Sequence, residues 1–217
     1  MNSVMESVCL VCKTVRNKSK SGVSFQSLLT SLRREFRNQG FDIRIKSLRD
    51  RKLDLDEFCV NAFYDPIDDH RREIAIEISI YHNFTKDLVW DELHITNLLI
   101  QIFDATVHEF RHQRQSRKRI FEVFYNGNTY LEDPDEIDAY AISIAIELCR
   151  SLGKTRALRY MPTFASLSKL KFNSQYVSPA LHSYVKQFGN ISNPIIQRLA
   201  KKVYIRLQKI DTDCIFM

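Results

Sequence analysis

The apolar positions along the chain change period, and the first third predicts one helix followed by three strands. Residues 24–39 have helical spacing, and Gly40 is a stop signal. Residues 41–48 (FDIRIKSL) alternate between apolar and polar side chains, residues 53–64 do so more weakly after a turn at 49–52, and residues 73–81 (EIAIEISIY) alternate most cleanly. Since short turns join these strands, the simplest prediction is an antiparallel meander.

From about residue 91 the period becomes helical. The first of these helices is predicted to run to about residue 117, and a loop containing YNGN follows. The next opens at Pro134, with Asp133 as its N-cap, and ends near Gly153. Further helices are predicted at about 179–187 and 194–210. The pattern predicts an α+β fold in a single domain over 1–217, with its core at about 24–153 and a C-terminal helical extension at about 154–217.

Composition adds little to this picture but excludes several classes of protein. The chain has 217 residues, 44% hydrophobic and 27% charged, which suits a compact domain rather than a disordered chain. Its net charge of +6 permits a nucleic-acid partner without demanding one. No apolar stretch is long enough for a bilayer, and the N-terminus lacks the features of a signal peptide. Composition therefore predicts neither a membrane span nor a signal peptide.

The five cysteines are odd in number and scattered, which indicates reduced thiols in a cytoplasmic compartment rather than a disulfide framework. Cys9 and Cys12 form a C-x-x-C. A zinc ribbon needs a second such pair, and a redox motif needs a βαβ unit. The sequence indicates neither a second pair nor a βαβ unit, so Cys9 and Cys12 are predicted to act as small apolar residues.

A five-residue string in the long helix carries the candidate chemistry: His108-Glu109-Phe110-Arg111-His112, an H-E-x-x-H. Residues four apart on a helix differ by about 40° and about 6 Å of rise, so both imidazoles can point at one ion. Glu109 is badly placed as a third ligand but can reach a water on that ion. Neutral imidazole suits zinc, and a catalytic zinc takes three protein ligands and keeps one open position. The alternative is a solvated His-Glu-His face.

The third ligand has to come from elsewhere in the chain. The only histidine after His112 is His182. The second helix, however, opens with a cluster of acids that can face the histidines across an antiparallel helical hairpin. Glu136 is the predicted ligand and Asp138 the runner-up. On the alternative interpretation these acids only stabilise the positive end of the helix dipole.

An alternating strand, a helix with HEFRH (108–112) and a helix opening with EIDAYA (136–141) together resemble a gluzincin-type zinc metallopeptidase. More narrowly they resemble the compact minigluzincin group, which includes bacterial ImmA/IrrE-type peptidases and small phage-encoded relatives. That group has a pattern close to E-x-E-A-x-x-F-A, in which a Glu supplies the third ligand. Glu136, Asp138 and Ala139 match it, whereas the tail from Tyr140 departs from it. The resemblance covers about residues 70–150.

The resemblance implies a zincin-like fold, with a small antiparallel three-stranded sheet packed on the HExxH helix and the Glu-bearing helix. It also implies Zn²⁺ held by His108, His112 and Glu136, and hydrolysis of peptide bonds in a narrow protein substrate by a zinc-bound water that Glu109 activates. Strand 73–81 would be the sheet edge on which substrate pairs. Further roles stay open: an oxyanion donor among Tyr130, Tyr140, His70, His82 and His182, and an acceptor orienting an imidazole from Asp104 or Asp138.

Two alternative functions compete with the peptidase. One is a catalytically silent zincin-fold binding protein, against which the intact Glu109 argues. The other is a nucleic-acid-binding module, because basic residues cluster in two runs that could cover phosphates or could simply be solvated faces. The runs are Arg33, Arg34, Arg37, Arg44, Lys46, Arg49, Arg51 and Lys52, and Arg111, Arg114, Arg117, Lys118 and Arg119.

Overall fold

The computed structural model describes residues 2–19, 22–84, 89–118, 129–161, 174–189 and 192–216. The predicted YNGN loop and Arg119 lie outside these ranges. The chain divides into two compact units, Met1–Arg117 with Phe216–Met217, and Lys118–Ile215. The boundary predicted near residue 153 and the single-domain organisation stay predictions.

The first unit contains four helices and five strands among its described residues. They are α1 (Asn2–Lys18), β1 (Val23–Ser24), α2 (Phe25–Asn38), β2 (Ile43–Arg49), β3 (Phe58–Tyr64), α3 (Pro66–His70), β4 (Ile76–His82), β5 (Val89–Trp90) and α4 (Glu92–Ser116). The described part of the second unit is helical. Its helices are α5 (Pro134–Leu152), α6 (Lys154–Tyr160), α7 (Ser174–Val177), α8 (Pro179–Phe188) and α9 (Pro194–Lys209). The predicted α+β class is confirmed.

The three-stranded sheet is mixed, so the predicted antiparallel meander is wrong. Its order is β2-β4-β3, with β2 parallel to β4 and β3 antiparallel to β4. β4 takes the centre because its three inward isoleucines, Ile76, Ile78 and Ile80, are almost completely buried. β2 carries Arg44 and Lys46, charges that an edge position tolerates. The segment 50–57 connects β2 at one edge of the sheet to β3 at the other edge, which leaves the position between them to β4.

This order also corrects the predicted substrate edge. β4, the observed counterpart of strand 73–81, is hydrogen-bonded on both sides and cannot accept a further strand. The edges of the sheet are β2 and β3. Each has an outward backbone group covered by a side chain: Arg33 donates from Nη2 to the Ile45 carbonyl at 2.8 Å, and the Val60 amide donates to Gln101 Oε1 at 3.2 Å.

The sheet packs on α4, and α1 packs on α4 and α2. The α1 residues Cys9 and Cys12 are both buried, and the Cys12 thiol donates to the Leu99 carbonyl at 3.6 Å. Burial raises the pKa of the Cys9 thiol, although Lys13 and Arg16 partly oppose it. The burial of Cys9 and Cys12 agrees with the prediction that the two cysteines act as small apolar residues.

In the second unit, α5 is the central helix and packs most extensively on α9. It begins as predicted: the Asp133 side chain accepts from the Asp135 amide at 2.7 Å, and Pro134 is the first helical residue. Most of its side chains from Ile137 to Cys149 are buried. None of the helices in the described ranges has a segment both long and apolar enough to cross a bilayer.

Candidate metal centre

The two histidines of the H-E-x-x-H converge on one face of α4. The Nε2 atoms of His108 and His112 are 3.1 Å apart, with ring centroids 4.8 Å apart and ring planes at 65°. Two nitrogens that each lie about 2.0–2.1 Å from a tetrahedral zinc are separated by about 3.3 Å. The observed separation is therefore close to that of two ligands of one ion, although it equally suits a hydrogen bond between neutral imidazoles. Both rings are half-buried.

Helix α4 holds these rings in place through packing on its opposite side. Its N-cap is Asp91, which accepts from the His94 amide at 2.8 Å. Residues from Ile95 to Val107 supply the buried face. Phe110, inside the motif, packs against a small cluster of Tyr64, Ala75 and Ile76. Glu109 is 9% exposed, so the carboxylate between the histidines in sequence is largely shielded from bulk water.

The C-terminal end of α4 is anchored to α3 through Asp69, a contact that the sequence did not predict. Gln113, the residue after His112, donates to Asp69 Oδ1 at 3.0 Å. Arg117 donates to both carboxylate oxygens, at 2.8 and 2.6 Å, and the Tyr64 hydroxyl donates to Oδ2 at 3.0 Å. The Arg117 guanidinium, aided by Tyr64, holds the pKa of Asp69 below its usual range against the opposing effect of burial. Asp69 thus fixes the turn that follows the second histidine.

We expect Asp69→Asn to destabilise the protein by about 1–2 kcal/mol at pH 7, because it removes charge-assisted hydrogen bonds but Arg117 is largely exposed. Since the pKa of Asp69 is lowered in the folded state, its contribution is present above its unfolded pKa of about 3.9 and is lost as pH falls through the folded pKa. Urea denaturation at pH 7 and at pH 3 measures both effects. Asp68→Asn, one residue earlier on α3, is the matched control. If Asp69→Asn lowered the free energy of unfolding as much at pH 3 as at pH 7, the stabilising role of the ionised Asp69 carboxylate would be contradicted.

Glu136, the predicted third ligand, lies in the first turn of α5 and is 9% exposed. Two acids of this turn, Asp135 and Glu136, lie where the helix dipole favours negative charge. The dipole explains an acid at this point, but burial of the Glu136 carboxylate demands a specific partner as well. His108 and His112 belong to the first unit and Glu136 to the second. Their joint coordination of one ion stays a prediction.

Asp138, the runner-up, has a structural role in the second unit. Its Oδ1 accepts from Arg206 Nη2 at 2.7 Å and from Lys202 Nζ at 3.2 Å, which joins α5 to α9. The Asp138 side chain is 5% exposed, so these cations compensate a buried charge. An acid held in this way is less available to a metal than Glu136.

The structure separates the predicted oxyanion candidates by environment. His70 and Tyr130 are exposed, whereas Tyr140 and His182 are half-buried. The His82 ring accepts from the Phe84 amide at Nδ1 and lies 2.8 Å from Ser47 Oγ at Nε2. Burial, and then Arg49, lower the pKa of His82, which favours the neutral ring. Asp104, a predicted acceptor for an imidazole, is half-buried one turn before His108.

Sequence reasoning missed Tyr184 on α8. The Tyr184 side chain is fully buried, and its ring packs edge-on against Tyr140 at 5.4 Å between centroids. Burial chiefly, with smaller contributions from Tyr140, Glu136 and Asp133, raises the pKa of the Tyr184 hydroxyl. A tyrosine on the apolar face of a helix is an ordinary core residue in sequence, so the pattern gave no signal.

Part of the first basic run is engaged within the first unit. Arg33 covers the edge of β2, Arg34 contacts Glu35 at 3.2 Å, and Lys46 contacts Glu77 at 2.7 Å. In the second run, Arg117 is engaged by Asp69. These contacts favour the interpretation of the runs as solvated faces with compensating acids.

Comparison of the chain with protein-family models, with curated proteins and with solved structures found no match. The function therefore has to be argued from the chain's own residues.

Proposed function

We propose that the protein is a zinc-dependent peptidase of the gluzincin type, with zinc held by His108, His112 and Glu136. The observation that carries the proposal is the 3.1 Å separation of the two Nε2 atoms on α4, beside the shielded carboxylate of Glu109. The donor set fits the metal, since each of the three residues offers one ligand atom of a kind that zinc prefers. The zincin-like arrangement of sheet, HExxH helix and Glu-bearing helix belongs to the same proposal.

The chemistry divides between the metal and Glu109. When bound, zinc would supply Lewis-acid chemistry, which makes a water acidic near neutral pH and stabilises negative charge on a carbonyl oxygen. Glu109 takes a proton from the attacking water and returns one to the amine that leaves. The shielding of Glu109 from bulk water favours this proton transfer, because few solvent molecules compete for hydrogen bonds to its carboxylate. A non-catalytic site has no use for a base at this position.

The proposed substrate is a protein or peptide that pairs with β3. Among the strands of the sheet, β3 has the most extensive packing on α4. The outward amide of Val60 is available to an added strand if the Gln101 side chain moves aside. A substrate strand would have to replace the hydrogen bond between the Val60 amide and Gln101. Substrates that accept from this amide well would be favoured, which agrees with a narrow specificity.

A catalytically silent binding protein of the same fold is the alternative. Capture on the Glu109→Gln variant, followed by incubation of each captured protein with the wild type, separates the two. We expect the wild type to cleave a captured partner, and we expect a zinc chelator to stop cleavage and added zinc to restore it. A captured partner that stays intact with the zinc-loaded wild type over long incubation would support the binding protein.

A further inference from the structure

The hydroxyl of Tyr184 is buried and has no hydrogen-bond partner among the described residues. The side chain on α8 is 0% exposed, so solvent does not satisfy the hydroxyl either. Native proteins rarely leave a buried polar group unsatisfied, because it has lost its water without gaining a partner. Phenylalanine would fill the same space without this cost. The hydroxyl therefore calls for a hydrogen-bond acceptor close to it.

The surroundings of Tyr184 point to the first turns of α5. Its ring packs edge-on against Tyr140, at 5.4 Å between centroids, and more loosely against Phe188 at 5.8 Å. Tyr140 follows Glu136 by four residues on the same helix, so the two side chains lie on one face of α5. Tyr184 thus packs on the face of α5 that carries Glu136.

Two carboxylates could accept a hydrogen bond from this hydroxyl. They belong to Glu136 and Asp133. Beside burial and Tyr140, which contribute more, both carboxylates raise the pKa of the Tyr184 hydroxyl, which is consistent with their lying near it. Asp133 is the N-cap of α5, and its carboxylate already accepts from the Asp135 amide at 2.7 Å. Glu136 lies one helical turn before Tyr140, whose ring Tyr184 contacts. It is the better acceptor.

We propose that Tyr184 is a positioning residue for the metal ligand Glu136. In the zinc-loaded protein its hydroxyl donates a hydrogen bond to the Glu136 carboxylate and fixes the rotamer in which that carboxylate binds the ion. Groups that hold metal-ligating carboxylates in this way typically contribute 10- to 100-fold to metal affinity. This inference rests on the proposed function, in which Glu136 is the third ligand.

The test compares zinc affinity with the stability of the metal-free protein in Tyr184→Phe. We expect the zinc dissociation constant, measured by competition with a chelating dye, to rise about 10- to 100-fold. The melting temperature of the metal-free variant should be unchanged or higher, because an unsatisfied hydroxyl is removed. A core residue without this role would not weaken zinc binding while sparing the metal-free fold. Tyr204→Phe, at a 42% exposed tyrosine on α9, is the matched control and should change neither quantity.

Glu136→Gln distinguishes the failure of this inference from failure of the proposed site. If Glu136→Gln weakens zinc binding strongly and Tyr184→Phe binds as wild type does, the positioning role is wrong and the ligand assignment stands. The positioning role would also be wrong if the metal-free Tyr184→Phe variant had a lower melting temperature together with its weaker zinc binding. Zinc affinity that is unaffected by Glu136→Gln would overturn the ligand assignment and this inference together.

Discussion

Glu109→Gln is expected to reduce peptide cleavage by about 10²–10⁴-fold, the usual cost of removing a general base. Glutamine keeps the size and most of the hydrogen-bonding shape of the side chain but cannot accept the proton. Because Glu109 is badly placed as a ligand of an ion held by His108 and His112, zinc content should stay at the wild-type level. Rates on one captured substrate, with zinc content determined on the same samples, measure both quantities.

Two results would contradict the role of Glu109. Equal cleavage by wild type and variant would mean that the activity lies elsewhere or belongs to a contaminant. Loss of zinc along with activity would mean that Glu109 supports the metal rather than the proton transfer. Glu77→Gln, at a glutamate on β4 that pairs with Lys46 and Arg44, is a suitable control and should leave the rate unchanged.

His108→Ala and His112→Ala are each expected to abolish zinc binding, because two protein ligands seldom hold zinc at the affinity of three. Both rings are half-buried on α4, so removing either one should cost little of the fold. Zinc content after gel filtration, with circular dichroism as a check on folding, makes the measurement.

The matched control is Cys9→Ser combined with Cys12→Ser. These buried thiols are the other pair with a metal-binding spacing, and the Cys12 thiol is instead engaged with the Leu99 carbonyl in the core. The double variant should retain zinc. Metal that is kept by the histidine variants but lost by the cysteine variant would place the site on α1.

The helices that position the candidate site follow directly from local sequence signals. Helix α4 begins after Asp91 and α5 after Asp133, and both N-caps make hydrogen bonds to backbone amides. Helices α8 and α9 also open with Ser-Pro and Asn-Pro. Caps and apolar period agree in each case, so these boundaries were predicted closely.

Helices α1 and α3 were missed for different reasons. The buried face of α1 includes Cys9 and Cys12 beside Val8 and Val15, and cysteines in a C-x-x-C direct attention to chemistry rather than to apolar period. Helix α3 spans only Pro66–His70 within a polar stretch, and its Asp65 N-cap resembles an ordinary turn signal.

The order of the strands could not be predicted because alternation sets the face of a strand and not its neighbours. The segments of β2, β3 and β4 all alternate, and chain proximity favoured a meander. In the structure, the central position of β4 accompanies the near-complete burial of its isoleucines at 76, 78 and 80. The candidate ligands His108 and His112 could be proposed from their spacing, whereas the contacts of Asp69 and Tyr184 join residues distant in sequence.

The zinc content of the purified wild-type protein tests the central claim most directly. The proposed site predicts about one zinc per chain, removed by a chelator and restored by stoichiometric zinc. It also predicts that His108→Ala, His112→Ala and Glu136→Gln prepared in parallel fall well below this level. A wild type that fails to bind zinc when it is added, or one whose zinc survives all three substitutions, would contradict the proposed metal centre.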